Sequence, residues 1–201
     1  MFIRTMVRGG DSPDDKREAV LQAALALFSA RGFHGVAVPE IASRARVAAG
    51  TIYRHFESKE QIVNALYARY KQALGAALLS DFPFSAAPRA QFHHFFTRAM
   101  AFARREPEAF KFLEAHHHAP YLDAACKGLE SQTLAPFREF FVQGERARVI
   151  RRGSPEALGA IVWGGVVGLV RGAWEGHLTL DAKTERLAED ALWDAIRRHE
   201  D

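Results

Sequence analysis

The sequence predicts an all-α protein, and three observations carry that expectation. Apolar residues recur at helical spacing along most of the chain, no run alternates apolar with polar residues between hairpin turn pairs, and capping residues, prolines and glycines punctuate it at helix-length intervals. With 201 residues, 48% hydrophobic and 25% charged, the chain has the apolar mass for a real core, which excludes disordered and fibrous classes. One cysteine, Cys126, excludes an intrachain disulfide framework and points to a reducing, cytoplasmic setting. A net charge of +3, from 27 basic and 24 acidic residues, neither demands nor forbids a polyanionic partner, so the placement of charge must decide.

Taken in order, the first ten residues are basic but lack the apolar segment of a secretory signal, and residues 1–12 are expected to form a flexible tail. Ser12 suits a cap, Pro13 the first helical position, and Asp14 and Asp15 the positive end of the helix dipole. The helix they open carries Val20, Ala24, Leu27 and Phe28 on one face and ends at Arg31 with Gly32 as a left-handed stop. Two short helices follow, Pro39 to Arg44 and about Ala48 to His55. Only three residues separate them, so they must cross steeply, with Ile41, Ala42, Val47, Ile52 and Phe56 packed beneath against Phe28 and Phe33. Ser58 then caps a long amphipathic helix through Ile62, Leu66, Tyr70 and Leu74. This divides the chain into a small domain over 13–58 and a larger one over 59–201.

The larger part breaks at Asp81 to Ser85. Helices are expected from about Ala87 to Arg105, from Pro107 to near His118, from about Leu129 to Arg148 after a short segment ending at Gly128, from Pro155 to Gly176, and from Asp181 to His199. The apolar run Ala157 to Val170 stops at Arg171, short of the roughly 20 residues a bilayer requires. It reads as a buried helix, and no membrane partner is expected.

Residues 39–59 read as a scaffold presenting one short helix outward. On it Thr51, Tyr53, Arg54 and His55 can point away from the core while Ile52 and Phe56 point in. A helix entering the DNA major groove needs donors near its N-terminus for base edges and hydroxyls and cations on its flanks for phosphates, which these residues supply. Lys59, at the start of the next helix, is a further candidate phosphate clamp.

These residues resemble the N-terminal domain of the tetracycline-repressor (TetR) family. The matching motifs are Ala24-Leu25-Ala26-Leu27-Phe28, Gly32-Phe33-His34-Gly35, Glu40-Ile41-Ala42, and Gly50-Thr51-Ile52-Tyr53-Arg54-His55-Phe56 with Lys59-Glu60. The resemblance implies a homodimer that binds a double-stranded DNA operator, a reading helix at about Ala48 to His55, and a helical effector domain whose last two long helices form a four-helix dimer seam. Three residues depart from the family pattern. Arg46 stands where the family usually has glycine, so a positive φ there would carry strain, and Ala48 and Ala49 replace a small hydroxyl residue and a cation at the helix entrance. The DNA-binding set is therefore Arg44, Arg46, Ala48, Ala49, Thr51, Tyr53, Arg54, His55 and Lys59, with Thr51 and Arg44 the base-reading candidates.

Aromatic density beyond residue 90 suggests an apolar chamber for a small apolar or aromatic effector, with Phe92, Phe96, Met100, Phe112, His116, His117, Phe137, Phe141 and Trp163 as candidate walls. Gly164, Gly168 and Gly172 repeat every fourth residue, a smooth stripe that admits a second helix closely. Together with Ile161 and Leu169, and with Leu192, Trp193 and Ile196 of the last helix, they form the expected dimer interface. The histidines support an alternative, a metal-dependent enzyme or metal sensor in which His93 and His94 meet His116, His117 and His118 across neighbouring helices. Adjacent histidines on a helix diverge, however, and no His-Glu-x-x-His motif, nucleotide-binding glycine loop or nucleophile motif occurs. The sequence thus favours a regulator over an enzyme, with no cofactor and no metal; a purely structural helical adaptor would keep the fold but not bind DNA.

Overall fold

The computed structural model describes residues 12–115 and 118–199, and among them the regular elements are helices, joined by loops and one isolated antiparallel bridge. Residues 1–11 of the expected tail over 1–12 and the ligand candidates His116 and His117 lie outside the described residues. Helix α1 spans Pro13–Arg31, α2 Val38–Ala45, α3 Ala49–His55 and α4 Lys59–Leu79. They are followed by α5 (Pro88–Arg105), α6 (Pro107–Ala115), a 3₁₀ turn over Ala119–Tyr121, α7 (Ala124–Arg146), α8 (Pro155–Trp174) and α9 (Ala182–Ile196).

Capping fixes the boundaries. Ser12 Oγ accepts from Asp15 N at 3.1 Å and Ser58 Oγ from Gln61 N at 3.3 Å, while Gly32, at φ 68°, donates its N–H to Phe28 O and stops α1. At α2 the N-cap Ala37 has no hydroxyl to offer, and Glu40, at the third helical position, reaches back to accept from Ala37 N at 2.7 Å and from Arg31 at 2.9 Å. Both contacts lower the Glu40 pKa, the backbone N–H first.

Helices α2 and α3 pack on each other, and their core is the expected one: Phe28, Ile41, Ala42, Ile52 and Phe56 are buried, with Phe33 and Val47 partly so. The small domain does not stand apart. Helix α1 packs on α6 as well as on α2 and α4, and the Phe33 ring stacks on Tyr121 at 3.9 Å. Glu18 of α1 and Arg69 of α4 form a two-pronged ion pair at 2.8 and 2.7 Å, which holds the Glu18 carboxyl down at about 2.

Two expectations for the larger part are corrected. The segment before Gly128 is not separate, because α7 runs unbroken from Ala124 to Arg146 through both Gly128 and Pro136. Asp123 caps it by accepting from Cys126 N at 2.8 Å, and a Cβ at Gly128 would meet nothing within 4 Å, so that glycine is a tolerated poor helix former on an open surface. Nor is α8 buried all round. It is long and apolar enough, by length and composition, to cross a membrane, yet only Leu158, Val162, Val166 and Val170 of it are fully buried, with Trp163, Val167 and Leu169 partly so.

Candidate nucleic-acid interface and ligand chamber

The outward face of α2 and α3 carries the expected side chains. Arg44, Arg46, Ala48, Ala49, Tyr53 and Arg54 are exposed, Thr51 and His55 half-buried, and Ile52 and Phe56 turned inward. Tyr53 is 58% exposed, far more than a tyrosine placed for packing. Arg44, Arg46 and Arg54 have no carboxylate partner among the described residues, so their charge faces outward unneutralised. Arg46 adopts φ 57° and ψ 41°, a left-handed conformation that a non-glycine residue holds at a cost in strain, with its N–H donated back to the end of α2.

Lys59 is corrected. Its ammonium donates to Phe33 O and Val36 O, each at 2.9 Å, and sits 3.9 Å from the centre of the Phe33 ring. It therefore ties the start of α4 to the α1–α2 loop and is not a free phosphate clamp. The reason lies in the tertiary fold: the Phe33 turn leaves carbonyls without helical partners directly beneath it.

A chamber of about 590 Å³ opens between α4, α5, α7 and α8. Of the expected wall residues, Phe92, Phe137, Phe141 and Trp163 line it. Phe96, Met100 and Phe112 do not: each is at most 2% exposed and packs in the core, Phe112 against Phe28 and His118. Phe95 joins the wall, its ring 4.8 Å from Phe137. Sequence reasoning missed the contribution of α4, whose Tyr67, Lys71, Leu74 and Leu78 complete the chamber. The 3.6-residue periodicity of that helix showed a buried face but not which partner it would meet. Polar groups are sparse. Trp163 donates to Glu114 at 2.8 Å, Gln91 donates to Phe84 O and Ala86 O, and the Lys71 ammonium lies 5.8 Å from the Tyr67 ring.

The histidines diverge as adjacent helical residues must. His93 Nδ1 pairs with Glu189 of α9 at 2.9 Å, where Arg89 also binds Glu189 and Asp190. His94 turns to the edge of Phe82, with its Nε2 buried and unpartnered. His118 is buried against the Phe112 carbonyl. No three metal-ligating side chains gather among the described residues.

The glycine-bearing face of α8 splits in two. Ile161 is 50% exposed, and a Cβ at Gly164 or Gly168 would meet nothing within 4 Å, so this stripe is open. Gly172 instead faces Leu178 of the same chain, Leu192 packs on Gly165, Trp193 lies 5.5 Å from Phe92, and Leu169 is half-buried. Ile196 is fully buried in the core. Gly172, Leu192, Trp193 and Ile196 therefore pack within the subunit, and the exposed apolar residue on α9 is Leu187, at 70%. Three to four residues per turn put both kinds of position on one helix, and only the packing of α9 shows which side is taken.

Residues 20–66 match the family model described as bacterial regulatory proteins, tetR family, and residues 67–198 match the tetracyclin repressor-like C-terminal domain. A repressor named KstR2 from Mycolicibacterium smegmatis is 37% identical over 73 residues, covering 32% of this chain and 36% of that protein. This chain thus spans little more than a third of that relative's length. KstR2 from Mycobacterium tuberculosis is 27% identical over 198 residues, covering 96% of this chain and 85% of the relative. Among solved structures, a putative tetR family regulator from Shewanella sp. PV-4 superposes with a TM-score of 0.78 at 25% identity, covering 92% of this chain and 99% of that one.

Proposed function

The chain belongs to the tetR family of bacterial regulatory proteins, and from that premise we propose that it is a homodimeric, cytoplasmic repressor released from its operator by a small apolar or aromatic effector. The observation that carries the reading is the double duty of α4. Its first half buries Ile62, Val63 and Leu66, and its second half lines the chamber with Tyr67, Lys71, Leu74 and Leu78. An occupant of the chamber therefore pushes on the helix that Glu18 and Lys59 fasten to the small domain.

In this mechanism α3 enters the major groove, Arg44 and Thr51 reach base edges, and Arg46, Tyr53, Arg54 and His55 contact the backbone. Dimerisation through the open stripe Ile161, Gly164 and Gly168, with Leu187 of α9, sets two reading helices about 34 to 36 Å apart. The effector must bind more tightly to the arrangement in which that spacing is lost; equal affinity for both arrangements would shift nothing. The repressor names of the relatives support this direction of control.

Selection of genomic DNA fragments by the purified full chain, followed by a screen for compounds that release them, tests the proposal. Enrichment of palindromic fragments bound by a dimer is expected. Failure to enrich any fragment at low ionic strength, where phosphate contacts are strongest, overturns it.

A further inference from the structure

A second concavity, of about 1090 Å³, lies at the C-terminal end of α7 and is lined by Arg138, Arg146, Arg148, Arg151, Arg152 and Arg198, with Glu145 the one acid in its wall. It is remote from the DNA-reading face. The start of α7 is pinned beside the small domain, where Asn64 bonds both Tyr121 O and Asp123 N, and 23 helical residues at 1.5 Å each carry its end about 34 Å away.

The cleft is a built feature. Ile150, 1% exposed, packs so closely on Gly144 that a Cβ there would lie 2.4 Å from its Cδ1. An antiparallel bridge then folds the basic segment onto the C-terminal residues, with Arg151 N donating to Ile196 O at 2.9 Å and Arg198 N to Val149 O at 2.8 Å. Arg148 is held at φ 57° within it. Among the described residues only Arg138 has a carboxylate partner, Glu156 at 3.1 Å; Arg146, Arg148, Arg152 and Arg198 have none. Gathering unpaired guanidinium groups costs self-repulsion that a bound polyanion relieves, and their planar forks match phosphate oxygens two at a time.

The cleft adjoins the apolar chamber: Arg138 and Pro155 line both. At the boundary the Glu156 carboxylate is already satisfied by Ser154 Oγ at 2.7 Å and by Arg138, and its pKa is lowered, by the Ser154 hydrogen bond first. We infer that chamber and cleft form one composite site for an amphiphile with an apolar body and a di- or polyphosphate head. The inference rests on the effector reading above and narrows its ligand class. Such chemistry occurs in free metabolites and in membrane lipids, and the test separates the two.

Quenching of tryptophan fluorescence, with Trp163 in the chamber wall, follows titration of the full chain with decyl diphosphate, decanol and inorganic pyrophosphate. Decyl diphosphate is expected to bind at least about tenfold more tightly than either fragment, since one added charge-assisted contact suffices for that over decanol and burial of about two methylenes over pyrophosphate. The double variant Arg148→Gln/Arg152→Gln should lose that advantage while keeping decanol affinity and thermal stability. Pyrophosphate binding that the alkyl chain does not improve, decyl diphosphate no tighter than decanol, or an unaffected double variant overturns the composite site and leaves the chamber standing. Failure of decanol and decyl diphosphate alike removes the chamber itself. Cosedimentation with phosphatidylglycerol vesicles without capture of soluble decyl diphosphate overturns the enclosed site in favour of a lipid surface.

Discussion

Leucine placed at Gly168 and leucine placed at Gly165 are the same substitution three residues apart on α8, and the packing assigns them opposite consequences. At Gly168 an added Cβ meets nothing within 4 Å, so the subunit absorbs the side chain and gains about 1 kcal/mol of helix propensity over glycine. In a two-fold seam the intruding side chain arrives from both protomers. Overpacking costs about 1–3 kcal/mol per site, so the dimer loses about 2–6 kcal/mol, roughly a 30-fold to 10⁴-fold weaker association. At Gly165 the new Cβ lies 2.4 Å from Leu192 Cδ2 and 3.0 Å from its Cδ1, so the Leu192 side chain is forced out of its packed position within the subunit. That variant should be destabilised by about 1–3 kcal/mol, lowering Tm by about 2–4 °C per kcal/mol for a chain of this size. Sedimentation across a concentration series reads the first effect and thermal unfolding at fixed concentration the second. A Gly168→Leu protein that dimerises as tightly as the parent, or that unfolds as readily as Gly165→Leu, would refute the assignment of the open stripe to the seam.

Three further outcomes follow from the small domain. Lys59→Met should lower stability by about 1.5–3 kcal/mol in urea unfolding, because its ammonium holds the Phe33 and Val36 carbonyls, and should leave the salt slope of DNA binding unchanged; a slope reduced by about one with stability intact would restore the phosphate role. Arg46→Gly relieves left-handed strain but loosens the unfolded chain, so stability should stay within about 0.5 kcal/mol while the salt slope falls by about one. The Glu18 carboxyl is held at about 2 against an ordinary 4.5 by Arg69, so the pair contributes stability above pH 4.5 that is lost as pH falls through 2. Both partners are about a third to a half exposed, so screening leaves about 1 kcal/mol, and the gap between parent and Glu18→Gln should close over that acid range; a constant gap would show that the pair does not act through its charge.

The caps at Ser12 and Ser58, the stop at Gly32, the packing of α2 on α3 and the outward set from Arg44 to Arg54 were all legible in the sequence. Each is decided by residues within a turn or two of one another, where propensity and hydrogen bonding act without reference to the rest of the chain. Lys59, the three core residues Phe96, Met100 and Phe112, the α4 wall of the chamber and the division of the α8 stripe were decided only by tertiary structure. Helical periodicity shows that a face is buried but is silent on whether it meets another helix, a cavity or a second subunit. The arginine cleft is the extreme case: its side chains come from three separate stretches of sequence, and only the close approach of Ile150 to Gly144 and the bridge to the C-terminal residues concentrate their charge in one place.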